Sequence, residues 1–367
     1  MKNIHDIKNS FVTDRGNKAR GAAVSNGAKK ILLVTDAWAP QVNGVVRVQD
    51  ALILALRARG YEVVVIEPGQ FRTIPVPFYP EIRLALFPRR RVARMLNELQ
   101  PDAIHLMTEG PLGSAARAVC KAQGIPFTTW YHSHFQLYVD VRLRGLLGPV
   151  HAYLRRFHSA ATRTIVSTES LKKELEATGF KNLSIVPLGV DTALFTRNPA
   201  PPLPPLPKPV FVYFGRLAPE KSPEEFLQME LPGTKLVIGD GPHRAKLEGK
   251  YPEGNTFVGY RHGQDLVNWL SLADVFVFPS RTETFGLVVV EALACGIPVA
   301  AHDAMGPKDI ITEGKDGYLS EDLREAALKC LELSKEDCRA TALRYSWARS
   351  ADAFVRSLAF RELDNML

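Results

Sequence analysis

Two carboxylates in one short block carry the plainest chemistry in this chain. Glu283 and Glu291 are spaced E-x7-E in PSRTETFGLVVVEALACG, residues 279–296. The β-branched run Val275 to Phe278 predicts a strand, and the apolar run after Gly286 predicts a helix. Glu283 then falls in the loop before the helix and Glu291 in its second turn. The turn Thr284-Phe285-Gly286-Leu287 leaves backbone N–H groups free at a helix N-terminus, which favours a phosphate. Ionised carboxylates beside it accept hydrogen bonds from ligand hydroxyls. The plainer alternative is that Glu283 caps the helix and Glu291 is solvated. Against it, Glu291 sits inside LVVVEALACG, where an unpaired carboxylate is costly.

Cations stand where such a ligand would need them. Arg216 and Lys221 share a loop after the predicted strand Val210 to Phe214, separated by Leu217-Ala218-Pro219-Glu220. At the carboxyl end of a strand they face a cleft, where fixed positive charge suits an anionic ligand. The alternative is two surface cations paired with Glu220. Asn43-Gly44 occupies the first strand-to-helix loop, where Gly44 allows close backbone approach to a phosphate. No GxGxxG accompanies it, which counts against a nicotinamide dinucleotide. Trp130-Tyr131-His132-Ser133-His134-Phe135 ends another strand and offers His132 and His134. No third ligand at suitable spacing makes them a metal site, and no DxD motif occurs, so neither metal nor cofactor is expected.

The elements that hold these residues alternate. Strands at Lys30 to Thr35, Tyr61 to Glu67, Ala103 to Met107, Phe127 to His132, Arg163 to Ser167 and Leu183 to Val186 are separated by helical stretches. A run with seven prolines in twelve residues follows (198–209), and then strands at 210–214, 235–238, 255–258, 275–278 and 298–301. The proline run cannot continue a helix or a central strand and reads as a semi-rigid linker. The fold class is α/β: two Rossmann-like doubly wound parallel-sheet domains, 29–197 and 210–345, facing across a cleft. Residues 1–28 read as a disordered tail.

The 367 residues suffice for two cores, with 46% hydrophobic and 23% charged residues. No apolar run approaches the roughly 20 residues of a membrane span, and the basic N-terminus has no secretory h-region. Four scattered cysteines fit a reducing cytoplasm. Residues 1–200 carry 27 Lys and Arg against 15 Asp and Glu; residues 201–367 carry 19 against 24. The basic half is drawn to something anionic. Arg89, Arg90, Arg91 and Arg94 open a helix with Val92, Met95, Leu96 and Leu99, a basic amphipathic pattern for anionic headgroups. Arg142 and Arg144 repeat the mixture in VRLRGLLGP. Sparse aromatic interleaving and no nucleic-acid module argue against nucleic acid.

The E-x7-E block, with Gly215-Arg216-Leu217-Ala218-Pro219-Glu220-Lys221, Gly239-Asp240-Gly241-Pro242 and Pro187-Leu188-Gly189-Val190-Asp191 in the same order, resembles the family-4 glycosyltransferases over about residues 29–360. These are retaining nucleotide-sugar enzymes of GT-B fold. The resemblance implies that Glu283 holds donor-sugar hydroxyls, Glu291 the nucleotide ribose, and Arg216 and Lys221 the diphosphate. It places His132 near donor sugar and acceptor, His134 on the acceptor side, and the base against backbone around Val258 to Arg261. It makes 346–367 a helix crossing back to the first domain, with Trp347 as a packing anchor. With TWYHSHF (129–135), the sequence is similar to bacterial diacylglycerol glycosyltransferases and sulfoquinovosyl-diacylglycerol synthases of that family. That implies a UDP-hexose donor, glucose or glucuronate, a diacylglycerol acceptor, and peripheral attachment to the inner face of the cell membrane. The stretches from Lys221 to Gly239 and from Gly306 to Leu323 are shorter than in the family, which bears on the donor. A soluble transferase making a polysaccharide or small glycoside, with GDP-mannose as donor, is the alternative. A sugar-nucleotide epimerase and a non-catalytic lipid-binding protein fit the E-x7-E block less well. Oligomeric state is not legible.

Overall fold

The computed structural model describes residues 28–41, 43–76, 79–132 and 147–361. The tail to residue 27, His134, Arg142 and Arg144 lie outside the described residues.

β1 (Lys30–Val34) and β2 (Glu62–Ile66) flank α1 (Gly44–Arg57). An antiparallel hairpin follows, β3 (Thr73–Val76) with β4 (Tyr79–Ala85), and then α2 (Arg89–Leu99). β5 (Ala103–Leu106), α3 (Pro111–Gln123), β6 (Thr128–Trp130), α4 (Leu147–His158), β7 (Arg163–Val166), α5 (Glu169–Ala177) and β8 (Leu183–Ile185) complete this half. Its sheet is six-stranded and parallel, ordered β2-β1-β5-β6-β7-β8. Ile31 to Val34 are wholly buried because helices cover both faces.

The second half repeats the plan. β9 (Val210–Phe214), α6 (Pro223–Gln228), β10 (Thr234–Ile238), α7 (Arg244–Lys250), β11 (Asn255–Gly259), α8 (Gly263–Leu270), β12 (Val275–Phe278), α9 (Leu287–Ala294), β13 (Val299–Ala301), α10 (Pro307–Ile310) and β14 (Gly317–Leu319) lead into α11 (Leu323–Cys330), α12 (Lys335–Ala342) and α13 (Trp347–Ser357). The sheet order β11-β10-β9-β12-β13-β14 reverses direction between β9 and β12. Such a reversal opens a crevice at the carboxyl ends of the strands.

Between Val186 and Pro209 the chain forms no helix or strand beyond a single bridge from Val190 to Ser346. α13 returns to the first sheet. Phe354 is fully buried, edge-on to His105 and stacked on Trp130. Ala103 bridges Phe360, and the Arg361 N–H donates to the Asp102 carbonyl at 2.7 Å. The β3–β4 hairpin is absent from the sequence reading because Pro75, Pro77 and Pro80 argue against strand there. A two-stranded ribbon outside the main sheet tolerates the missing donors of Pro75 and Pro80.

The four cysteines are buried and free, each thiol pushed up to about 12 by burial. None is poised as a nucleophile.

Candidate active site

The carboxyl ends of the two sheets face each other, and hydrogen bonds cross between them. Thr284, in the loop after β12, donates its hydroxyl to the His132 carbonyl beyond β6 at 2.8 Å. Thr168, beyond β7, donates to the Thr284 carbonyl at 3.2 Å. The Ser170 N–H at the start of α5 donates to Asp309 on α10 at 2.9 Å.

On the second domain, Lys221 forms an ion pair with Glu283, both side chains about one fifth exposed. The two loops are tied again by Thr282, whose hydroxyl donates to the Glu220 carbonyl at 3.0 Å. Arg216 is exposed at the carboxyl end of β9, and its side chain makes no ion pair with any described residue. Gly239 lets the loop after β10 close on the loop after β9: a Cβ there would stand 1.9 Å from the Gly215 carbonyl. Gly286, with φ +91, caps α9. Phe285 is buried edge-on to Tyr345 and serves packing, while Leu287 packs on the core.

Glu291, in the second turn of α9, is buried. Burial raises its carboxyl, and Arg47 of the opposite domain opposes that rise by pairing with Oε1. Its Oε2 is buried without a described partner. The sequence reading missed Arg47. A signal existed: α1 starts at the Asn43 cap, so Arg47 lies in the first turn, where the helix dipole disfavours a cation.

On the first domain, His132 stacks on Trp130, with ring centroids 4.8 Å apart and planes 13° apart. Burial, helped by nearby His158, holds the imidazole at about 3, so it is neutral at physiological pH. Its Nε2 is buried with no described partner. His158 bridges Thr129 at 2.9 Å and Glu109 at 3.1 Å. Asp36 accepts the Leu112 N–H at 2.8 Å and anchors the start of α3. Gly44 is exposed, and a Cβ there would meet no atom of a described residue within 4 Å.

Comparison with known proteins agrees with this geometry. The description "Glycosyltransferase Family 4" matches residues 42–194, and "Glycosyl transferases group 1" matches 208–336. A GDP-mannose-dependent alpha-mannosyltransferase of Mycobacterium tuberculosis is 30% identical over 79% of this chain and 83% of its own length. The chain belongs to glycosyltransferase family 4. Sulfoquinovosyl transferase SQD2 of Arabidopsis thaliana is 32% identical over 72% of the transferase, which spans only 58% of that relative. Alpha-monoglucosyldiacylglycerol synthase of Acholeplasma laidlawii is 26% identical over 78% and 84%. The crystal structure of Anabaena HepE with UDP and glucose superposes with a TM-score of 0.62 at 16% identity, covering 90% of the transferase and 99% of that chain. Its fold is thus shared: two Rossmann-like domains in the GT-B arrangement.

Arg261 is held locally, donating to the Val258 carbonyl at 2.9 Å and to Asp265 at 3.1 Å, over the Trp269 ring. Arg89, Arg90, Arg91 and Arg94 are exposed on α2. Just before them Phe87 stands 94% exposed, a residue the sequence reading passed over. Among the described residues no group of three or more His, Cys, Asp and Glu could hold a metal. No described helix is long and apolar enough to cross a membrane.

Proposed function

We propose that this transferase moves a hexosyl residue, glucosyl or glucuronosyl, from a UDP-sugar to diacylglycerol, with retention, at the inner face of the cell membrane. The observation that carries the reading is the pairing of two features. One is the cleft with Glu283, Lys221, Glu291 and His132. The other is an exposed basic and apolar face on the first domain, Phe87 with Arg89, Arg90, Arg91 and Arg94. A glycolipid synthase among the relatives supports a lipid acceptor, and solved neighbours with UDP support the nucleotide.

In this reading Glu283 accepts hydrogen bonds from donor-sugar hydroxyls and Glu291 from the ribose. The first-turn N–H groups of α9, beyond Gly286, face the diphosphate, as Gly44 does from the other domain. Arg216 and Lys221 stabilise the diphosphate as its charge develops, in the role a divalent cation fills elsewhere. The acceptor hydroxyl attacks C1 on the face from which the phosphate leaves; the C1–O bond to phosphate breaks, the new C1–O bond forms, and the departing phosphate oxygen takes the acceptor proton. His132, neutral, lines the sugar side and can hydrogen-bond without adding charge. Arg261 shapes the backbone against the base.

A second reading keeps the same residues and exchanges the partners: GDP-mannose as donor and a water-soluble acceptor. The mycobacterial mannosyltransferase, as similar in sequence as the plant sulfoquinovosyl transferase, supports it. Transfer from radiolabelled UDP-glucose, UDP-glucuronate, UDP-galactose and GDP-mannose into diacylglycerol in anionic vesicles separates the two. Label that stays with the lipid and vanishes with Glu283→Ala establishes the first and names the donor. Label from GDP-mannose transferred to an added water-soluble acceptor, with none in the lipid, supports the second.

A further inference from the structure

The pair between Arg47 and Glu291 joins residues 244 positions apart and spans the cleft. Glu291 is desolvated, with its side chain only 4% exposed, while Arg47 is 48% exposed and reaches in from the open cleft. Among the described residues the Arg47 guanidinium bonds Glu291 alone. Among the described residues of the first domain none pairs with this cation: α1 is capped by Asn43 and anchored by Val46, Val48, Leu52, Ile53 and Leu56. Its placement in the first turn runs against the helix dipole. A buried carboxylate without a counter-charge is costly, and protonation relieves that cost. Arg47 occupies one carboxylate oxygen and leaves the other, Oε2, buried and unpartnered.

We infer that Arg47 is a positioning residue for nucleotide capture: reaching across the cleft, it fixes Oε1 of Glu291 and so presents Oε2 to a ribose hydroxyl, only while the two domains face each other. The inference rests on reading Glu291 as the ribose-holding group. Separation of the domains removes the cation that opposes the upward shift of the Glu291 carboxyl. Nucleotide capture is thereby coupled to domain approach through a single side chain.

Among the described residues, the other ionisable groups around Glu291 do not substitute for Arg47. Cys295, which caps the end of α9, has a thiol pushed up to about 12 by burial and by Glu291 itself, so it stays neutral. Arg339 of α12 spends its guanidinium on the carbonyls of Thr192, Phe195 and Ala294, and Arg197 donates to the Ala273 carbonyl. On α10, Asp309 accepts from Gly306 and Ser170 N–H groups, and Lys308 is exposed. Tyr260 acts on Arg47 rather than on Glu291.

The test uses calorimetric binding of UDP and of GDP, both of which carry the ribose, to the full chain at about pH 6 and about pH 8. Each variant is read against wild type at the same pH. Removing the cation raises the Glu291 carboxyl further, so Arg47→Gln should weaken binding about tenfold or more at the lower pH and only about threefold at the higher. Arg47→Lys, which keeps the charge, should bring the two pH values back together. Glu291→Gln should weaken binding similarly at both. Equal weakening of Arg47→Gln at both pH values, or no rescue by Arg47→Lys, reduces Arg47 to a structural strut and overturns the inference. Wild-type binding by Arg47→Gln, beside a weakened Glu291→Gln, overturns it too while sparing the ribose reading. Wild-type binding by both variants removes the ribose reading itself. A matched thermal melting curve for each variant confirms that a folded protein is compared.

Discussion

The Thr284 hydroxyl and the His132 carbonyl meet across the cleft at 2.8 Å, joining the residue after Glu283 to the residue stacked on Trp130. The Thr284 carbonyl in turn accepts from Thr168, so one residue ties the Glu283 loop to two strand ends of the opposite sheet. Phe354 of the crossover helix packs beneath Trp130. The C-terminal helix therefore sets the height of the His132 ring, and Thr284 sets its distance from Glu283.

Thr284→Val keeps the shape of the side chain and removes the donor. The bond is worth about 1 kcal/mol, so a loss of roughly fivefold in kcat is expected. KM for the donor should change less, because Glu283 and Lys221 keep each other in place. Steady-state transfer kinetics check this; an unchanged kcat would mean that the Thr284–His132 bond has no part in the reacting arrangement.

Lys221 carries the leaving-group argument. Charge on the diphosphate grows as the C1–O bond breaks, so a fixed cation contributes most in the transition state. Lys221→Ala is expected to lower kcat by about 10²–10³-fold while KM for the donor moves by no more than about threefold. A raised KM with kcat intact would assign Lys221 to ground-state binding.

His132 yields a prediction about acid stability. Its folded value of about 3 lies below the ordinary 6.5, so the unfolded chain takes up a proton first as pH falls. The stabilisation is complete above pH 6.5 and is lost progressively as pH drops from there towards 3. His105, also buried and shifted well down by burial, adds to the same slope. Melting temperature should therefore fall through that window, and His132→Phe should flatten the fall. An equally steep slope in His132→Phe would show that other groups cause the acid loss.

Much of this fold is legible because it repeats short, buried, β-branched strands with glycine or proline at the punctuation. β9, β12 and α9 fall where the pattern places them, and the Glu283–Lys221 neighbourhood follows from two loops at adjacent strand ends. What escapes is what depends on distant partners. Arg47 reads as a surface arginine on a helix until Glu291 is brought to it from the far domain. The β3–β4 hairpin hides behind its prolines. Phe87 reads as one more apolar residue before a helix; its backbone, with φ +48, and its exposure exist only in three dimensions.

That phenylalanine and the arginines after it form the face that separates the two functional readings. Leu86 closes the hairpin through its N–H to the Arg72 carbonyl at 2.8 Å, and Arg91 lies over the Phe71 ring, so hairpin, Phe87 and α2 make one continuous surface. Ile74 and Leu86 add apolar area, 48% and 40% exposed. Each arginine near an anionic bilayer contributes about 1 kcal/mol, and burial of one phenylalanine about 1.5–3 kcal/mol. Replacing Arg89, Arg90, Arg91 and Arg94 together by Gln should lower vesicle affinity by about 10²–10³-fold, and Phe87→Ser by about tenfold or more. High salt should weaken the wild type strongly and the arginine variant little. Sedimentation with phosphatidylglycerol-containing vesicles measures all of this. Neither variant touches the cleft, so UDP binding should stay at its wild-type value in both. If both variants bind vesicles as wild type does, this face is an ordinary solvated one, and the water-soluble acceptor becomes the better reading.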